Sequence, residues 1–171
     1  MIFLTIGAHE PFDRRVRAVD AWCLATGRQE EVFGQVTAPR PGGYVPQHFR
    51  WVSRLSPADY ADQVARADLL VSHAGMGSIL TALHLGKPIV IMPRRGHLRE
   101  TRNDHQFTTV QRLGRRPGIH VAADETELPA VLDHAIAHLA DPAGERIAPL
   151  ADTAFTDALR AFLTDTRPKQ D

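Results

Sequence analysis

The chain has 171 residues, with 20 Lys and Arg balanced by 20 Asp and Glu and a pI near 7.1. Its 43% hydrophobic and 23% charged composition fits one globular domain and excludes a disordered chain. Neutral charge removes the usual basis for non-specific nucleic-acid binding, no apolar run approaches the roughly 20 residues of a membrane helix, and a lone Cys23 excludes an intrachain disulfide.

Ile2 to Ile6 is a β-prone apolar run ending at Gly7, and predicts a buried strand. Phe12, Val16, Val19 and Cys23 recur at helical spacing and predict a helix that stops near Gly27. Glu31 to Val36 predicts a second strand, and two prolines and two glycines between residues 38 and 43 mark a loop. Phe49 to Val52 is a third, shorter strand. Ser56-Pro57 supplies an N-cap and a first-turn proline for a helix to about Arg66. Asp68 to Ser72 predicts a buried strand running into His73-Ala74-Gly75-Met76-Gly77-Ser78. A short helix then carries Ile79, Leu80 and Leu83 to Gly86. Pro88 to Pro93 is an apolar strand bounded by prolines. An arginine-rich loop, Arg94 to Arg102, leads into a helix with Phe107, Val110 and Leu113, followed by a strand at Ile119 to Ala122. Two helices close the chain, one from Leu128 to Leu139 and one carrying Ile147, Leu150, Ala154, Phe155, Ala158 and Phe162. This alternation predicts an α/β fold: a Rossmann-like, mostly parallel sheet flanked by helices. The expected organisation is one soluble, cytosolic domain over 1–164 and a polar tail over 165–171.

Ligands of open parallel sheets bind beyond the carboxyl ends of the strands. Three segments fall at such ends: Gly7 to Glu10, His73 to Ser78, and Pro93 to Gln106. Gly75 and Gly77 lack a Cβ, so a phosphate can approach their N–H groups, and Ser78 can cap the helix that follows. The same turn also reads as plain strand-to-helix packing. It matches neither a dinucleotide fingerprint nor a P-loop. Asn103, Asp104, His105 and Gln106 open a helix after a loop with Arg94, Arg95, Arg99 and Arg102. Their amides and carboxylate can hold sugar hydroxyls with an arginine on phosphate, or they can form an N-cap cluster beside a solvated basic loop. His134 and His138 have metal-ligand spacing without a third ligand. Asp124-Glu125 reads as helix N-terminal charge, and Cys23 as a small buried hydrophobe.

The ordered set Thr5 to Arg14, Val71 to Ser78, Leu85-Gly86-Lys87-Pro88 and Asn103 to Gln106 resembles the C-terminal, donor-binding half of glycosyltransferase family 28 over roughly residues 1–140. Within that family the chain is most similar to the small stand-alone subunits of bacterial exopolysaccharide synthesis, of the PssE and EpsE type. The soluble subunit of the eukaryotic N-acetylglucosaminyltransferase is a more distant relative. The resemblance implies half of a GT-B enzyme that moves a sugar from a UDP-sugar to a lipid-linked acceptor with inversion. It further implies a membrane-associated acceptor-binding partner that draws the protein to the inner face of the membrane, and no metal or other cofactor. The implied donor-binding set is Gly7, His73, Gly75, Met76, Gly77, Ser78, Thr81, Arg94, Asn103, Asp104 and Gln106. Thr81 stands where several relatives carry an acidic ribose ligand. His9 is the candidate catalytic base on this chain, with a base on the partner as the other option. A non-catalytic nucleotide-binding or regulatory module of the same fold is the alternative.

Overall fold

The computed structural model describes residues 1–7, 10–38, 41–140, 157, 160 and 161. Six strands form one parallel sheet: β1 (Ile2–Thr5), β2 (Val32–Gln35), β3 (Arg50–Val52), β4 (Leu69–His73), β5 (Ile89–Met92) and β6 (Ile119–Val121), in the order β3-β2-β1-β4-β5-β6. Every pairing is parallel; Ile2 faces Val32 on one side and Leu69 on the other. Five helices complete the layers: α1 (Asp13–Thr26), α2 (Pro57–Arg66), α3 (Met76–Leu85), α4 (His105–Leu113) and α5 (Leu128–Ala137).

Strand side chains alternate between faces, so β1, β4 and β5 each feed two cores. Ile2, Leu4, Leu69, Val71, Val90 and Met92 pack with Val16, Val19 and Trp22 of α1 and Leu128 and Leu132 of α5. Phe3, Leu70, Ile89 and Ile91 pack with Val64 of α2 and Ile79, Ala82 and Leu83 of α3. Each fully buried aliphatic or Phe side chain is worth about 1.5–3 kcal/mol. Strands buried on both faces are largely apolar, which is why β5 reads as an unbroken apolar run and β1 is apolar up to its buried Thr5.

Local signals set several boundaries. The Ser56 hydroxyl accepts the Asp59 N–H at 3.1 Å and caps α2, and Gly86 ends α3 in the left-handed conformation. Lys87 ties the same turn to α2 by donating to the Ala65 and Ala67 carbonyls at 2.8 and 2.6 Å. Asp20, fully buried on α1, gathers the loop before β3 by accepting from Tyr44 Oη at 2.6 Å and from the Gln47 and His48 N–H groups. Cys23 is buried, and burial pushes its thiol up to about 12, so it behaves as a small hydrophobe.

Two readings need correction. Gly75, not Ser78, occupies the N-cap of α3, and Ser78 lies inside the first turn, because β4 runs to His73 and leaves only two residues for the turn. Glu125 is more than helix-terminal charge: it pairs with Arg14 at 2.7 Å, a contact created by packing α1 against α5. The six apolar positions of the closing helix, Ile147 to Phe162, lie outside the described residues, as does the tail 165–171.

Candidate functional site

The sheet order reverses between β1 and β4, and a crevice opens there beyond the strand ends, as in other open α/β sheets. A cavity of about 650 Å³ fills it, lined by Ile6, Gly7 and Glu10 after β1, by His73 at the end of β4, and by nine residues of the segment Arg94 to Gln106 after β5. The three segments singled out from the sequence therefore converge on one edge.

His73 forms part of the cavity wall. Its ring stands between two glycines: a Cβ on Gly75 would lie 2.2 Å from Nε2, and one on Gly7 would lie 3.1 Å from Cε1. Gly7 also adopts φ +82°, where side chains are strained. Burial, then the charges of Arg15, Arg94 and His105, push the His73 imidazole down to about 3. It is neutral at physiological pH and can donate one N–H to a ligand oxygen without carrying charge.

The arginine-rich segment is a folded structure rather than a solvated loop. Arg94 is 4% exposed. Its Nη1 donates to the Pro11 and Glu100 carbonyls, and its Nη2 to those of Ile6 and Glu10, all at 2.6–3.0 Å. Glu100 clamps the segment from inside: it accepts Arg14 Nε at 2.6 Å and Nη2 at 3.0 Å, and the Arg95 N–H at 2.8 Å. The Asp104 carboxylate accepts the Gly96 N–H at 2.7 Å and does not cap α4. Gln106 is buried, and its Oε1 accepts the Arg94 N–H at 3.0 Å while the residue faces the cavity. Arg99 and Arg102 are exposed and line the cavity, with Arg99 the one non-glycine residue at positive φ among those described.

Of the donor-binding set, Gly7, His73, Arg94, Asn103 and Gln106 meet at the cavity. Gly75 touches it through His73. Met76, Gly77, Ser78, Thr81 and Asp104 do not line it: Met76 is 47% exposed, and Thr81 Oγ1 donates to the Gly77 carbonyl at 2.8 Å. A Cβ on Gly77 would meet nothing within 4 Å. His9 lies outside the described residues. Sequence reasoning gave no role to Glu100 or Arg15 and carried Glu10 only as the end of a candidate segment. Arg15 left a trace: it shares a helical stripe with Val19 and Trp22, four and seven residues on, where a charge is out of place. His134 and His138 stack with ring centroids 4.1 Å apart and His120 beside them. Among the described residues, no group of three or more His, Cys, Asp or Glu is arranged to hold a metal ion.

The profile of the glycosyltransferase family 28 C-terminal domain matches residues 29–160. A UDP-N-acetylglucosamine transferase subunit, ALG13, of Yarrowia lipolytica is 26% identical over 133 residues, covering 72% of this chain. The chain spans 65% of that relative's length. Among solved structures, the solution structure of ALG13 superposes with a TM-score of 0.53 at 18% identity, covering 92% of this chain and 93% of its own. A kitacinnamycin glycosyltransferase superposes with a TM-score of 0.54 at 21% identity, covering 82% of this chain and 34% of its own. The α/β sheet thus has the fold of one half of a GT-B glycosyltransferase.

Proposed function

We propose, since the chain belongs to the glycosyltransferase family 28 C-terminal domain family, that it is the donor-binding subunit of a split, inverting glycosyltransferase. The observation that carries this reading is the cavity at the reversal of strand order, where His73, Asn103 and Gln106 converge under exposed Arg99 and Arg102. Cationic side chains and the N-terminus of α4 suit a diphosphate, and amides suit sugar hydroxyls. The donor is a UDP-sugar and the acceptor a lipid-linked sugar. The branch we favour is exopolysaccharide synthesis, by the sequence resemblance. That a relative is named a subunit supports a divided enzyme.

In this reading the acceptor hydroxyl attacks the anomeric carbon opposite the departing UDP, and the bond from that carbon to the β-phosphate oxygen breaks. The leaving diphosphate gains negative charge as this happens. The α4 N-terminus and the rim arginines then stabilise it, so no metal is required. The acceptor proton passes to His9 or to a base on the partner. No helix among the described residues is long and apolar enough to cross a membrane; the membrane-associated partner is assigned to hold the lipid acceptor by the sequence resemblance.

The test is twofold. The purified chain should bind UDP and UDP-sugar in calorimetry yet transfer nothing to a lipid-linked acceptor, and co-expression with its membrane subunit should restore transfer. Absence of UDP binding would refute the donor role, and robust transfer by the chain alone would refute the division of labour.

A further inference from the structure

Arg15 is fully buried. Its Nη2 donates to the Thr5 carbonyl at 2.6 Å, while Nε and Nη1 have no hydrogen-bond partner. No carboxylate among the described residues forms an ion pair with it: Glu100 and Glu125 are bound to Arg14 instead. The guanidinium lies 4.8 Å from the centroid of the Phe12 ring, which also carries Arg94 at 4.6 Å. Two buried cations therefore share one aromatic ring without a contacting anion.

Such an arrangement is costly, because a buried charge is tolerated only when paired. Stability alone does not account for it, since Met or Leu would fill the space without desolvating a charge. Its position supplies another reason. Thr5, which holds Arg15, leads into Ile6 and Gly7 of the cavity wall, and Arg94 is itself part of that wall. The unpaired charge is held at the carbonyl of the residue that precedes that wall, fully buried in a low dielectric that extends its reach.

We propose that Arg15 is a positioning residue for anion binding, its buried and unpaired guanidinium holding the diphosphate of a nucleotide bound in the cavity without touching it. The inference rests on the donor-site reading. Unlike exposed Arg99 and Arg102, a buried charge is little screened by salt. It therefore supplies the salt-insensitive share of affinity for phosphate oxygens. The same charge bears on His73, which faces Arg15 from α1, Arg94 from the loop after β5 and His105 from α4. Removing Arg15 relieves part of the repulsion that keeps this imidazole neutral.

The experiment is Arg15→Met in the full chain, with UDP and uridine as paired probes. The variant should melt at or above the wild-type temperature, bind UDP about tenfold more weakly at both low and high salt, and bind uridine unchanged. The His73 ring should titrate at higher pH by NMR. Wild-type UDP affinity in the variant would overturn the inference and leave the donor site standing. A parallel loss of UDP and uridine, or a destabilised variant, would make Arg15 a structural tie and overturn it too. A wild-type protein that binds neither probe would overturn both readings.

Discussion

Gly75 is the position where the contact between fold and site is most exposed to test. An alanine there places a methyl 2.2 Å from His73 Nε2 and 2.8 Å from Cδ2, more than 0.5 Å inside an ordinary contact of about 3.4 Å. The backbone itself accepts the change, at φ −92° and ψ 137°, so the whole cost falls on the ring. The imidazole cannot retreat freely, because Gly7 closes on its other side. Overpacking of this kind costs about 1–3 kcal/mol, and the stiffer unfolded chain returns about 0.4–1 kcal/mol. The net loss is about 1–2 kcal/mol, which for a chain of this size lowers Tm by about 2–8 °C. Gly77→Ala is the internal control. It lies in the first turn of α3 with open space at its Cβ, so helix propensity should hold or raise Tm by about 1–4 °C. Calorimetric melting of both variants, with the His73 ring resonance followed by NMR, decides the matter. A Gly75→Ala protein that melts at or above wild type with an unmoved His73 signal would refute the packing argument.

Two further outcomes follow from the same site. Below pH 6.5 the unfolded chain takes up a proton at His73 that the fold, with the ring held near 3, refuses; stability is therefore full above pH 6.5 and falls as the pH drops towards 3. The loss attributable to His73 is about 2 kcal/mol at pH 5, read as the difference between urea midpoints at pH 7 and 5 that disappears in His73→Gln; equal slopes in the two proteins would exclude it. Gln106→Ala orphans the buried Arg94 N–H and should cost about 1–3 kcal/mol of stability, with UDP-sugar affinity falling about two- to tenfold more than UDP affinity. Gln106→Glu keeps the acceptor for Arg94 and should recover the stability, so loss of stability in both variants would count against the role of that hydrogen bond.

What the sequence determined by itself had a local cause. The apolar runs of β1 and β5 announced doubly buried strands, because a strand covered on both faces has little room for polar residues. Ser56-Pro57 and Gly86 marked α2 and the end of α3 through backbone requirements satisfied within a few residues. The alternation of strand and helix then placed three segments on one sheet edge, and the cavity lies there. Tertiary structure alone decided which polar residues face that cavity and which hold the fold. Arg94 and Arg99 are five apart in one basic run, yet the first is buried against carbonyls as far away as Ile6 and the second is open to the cavity. Glu100 and Glu125 meet at Arg14 across 86 and 111 residues of chain. No local pattern encodes such meetings. They arise because a parallel sheet returns distant strand ends to the same edge, and only the packed fold determines which charges are taken out of water there.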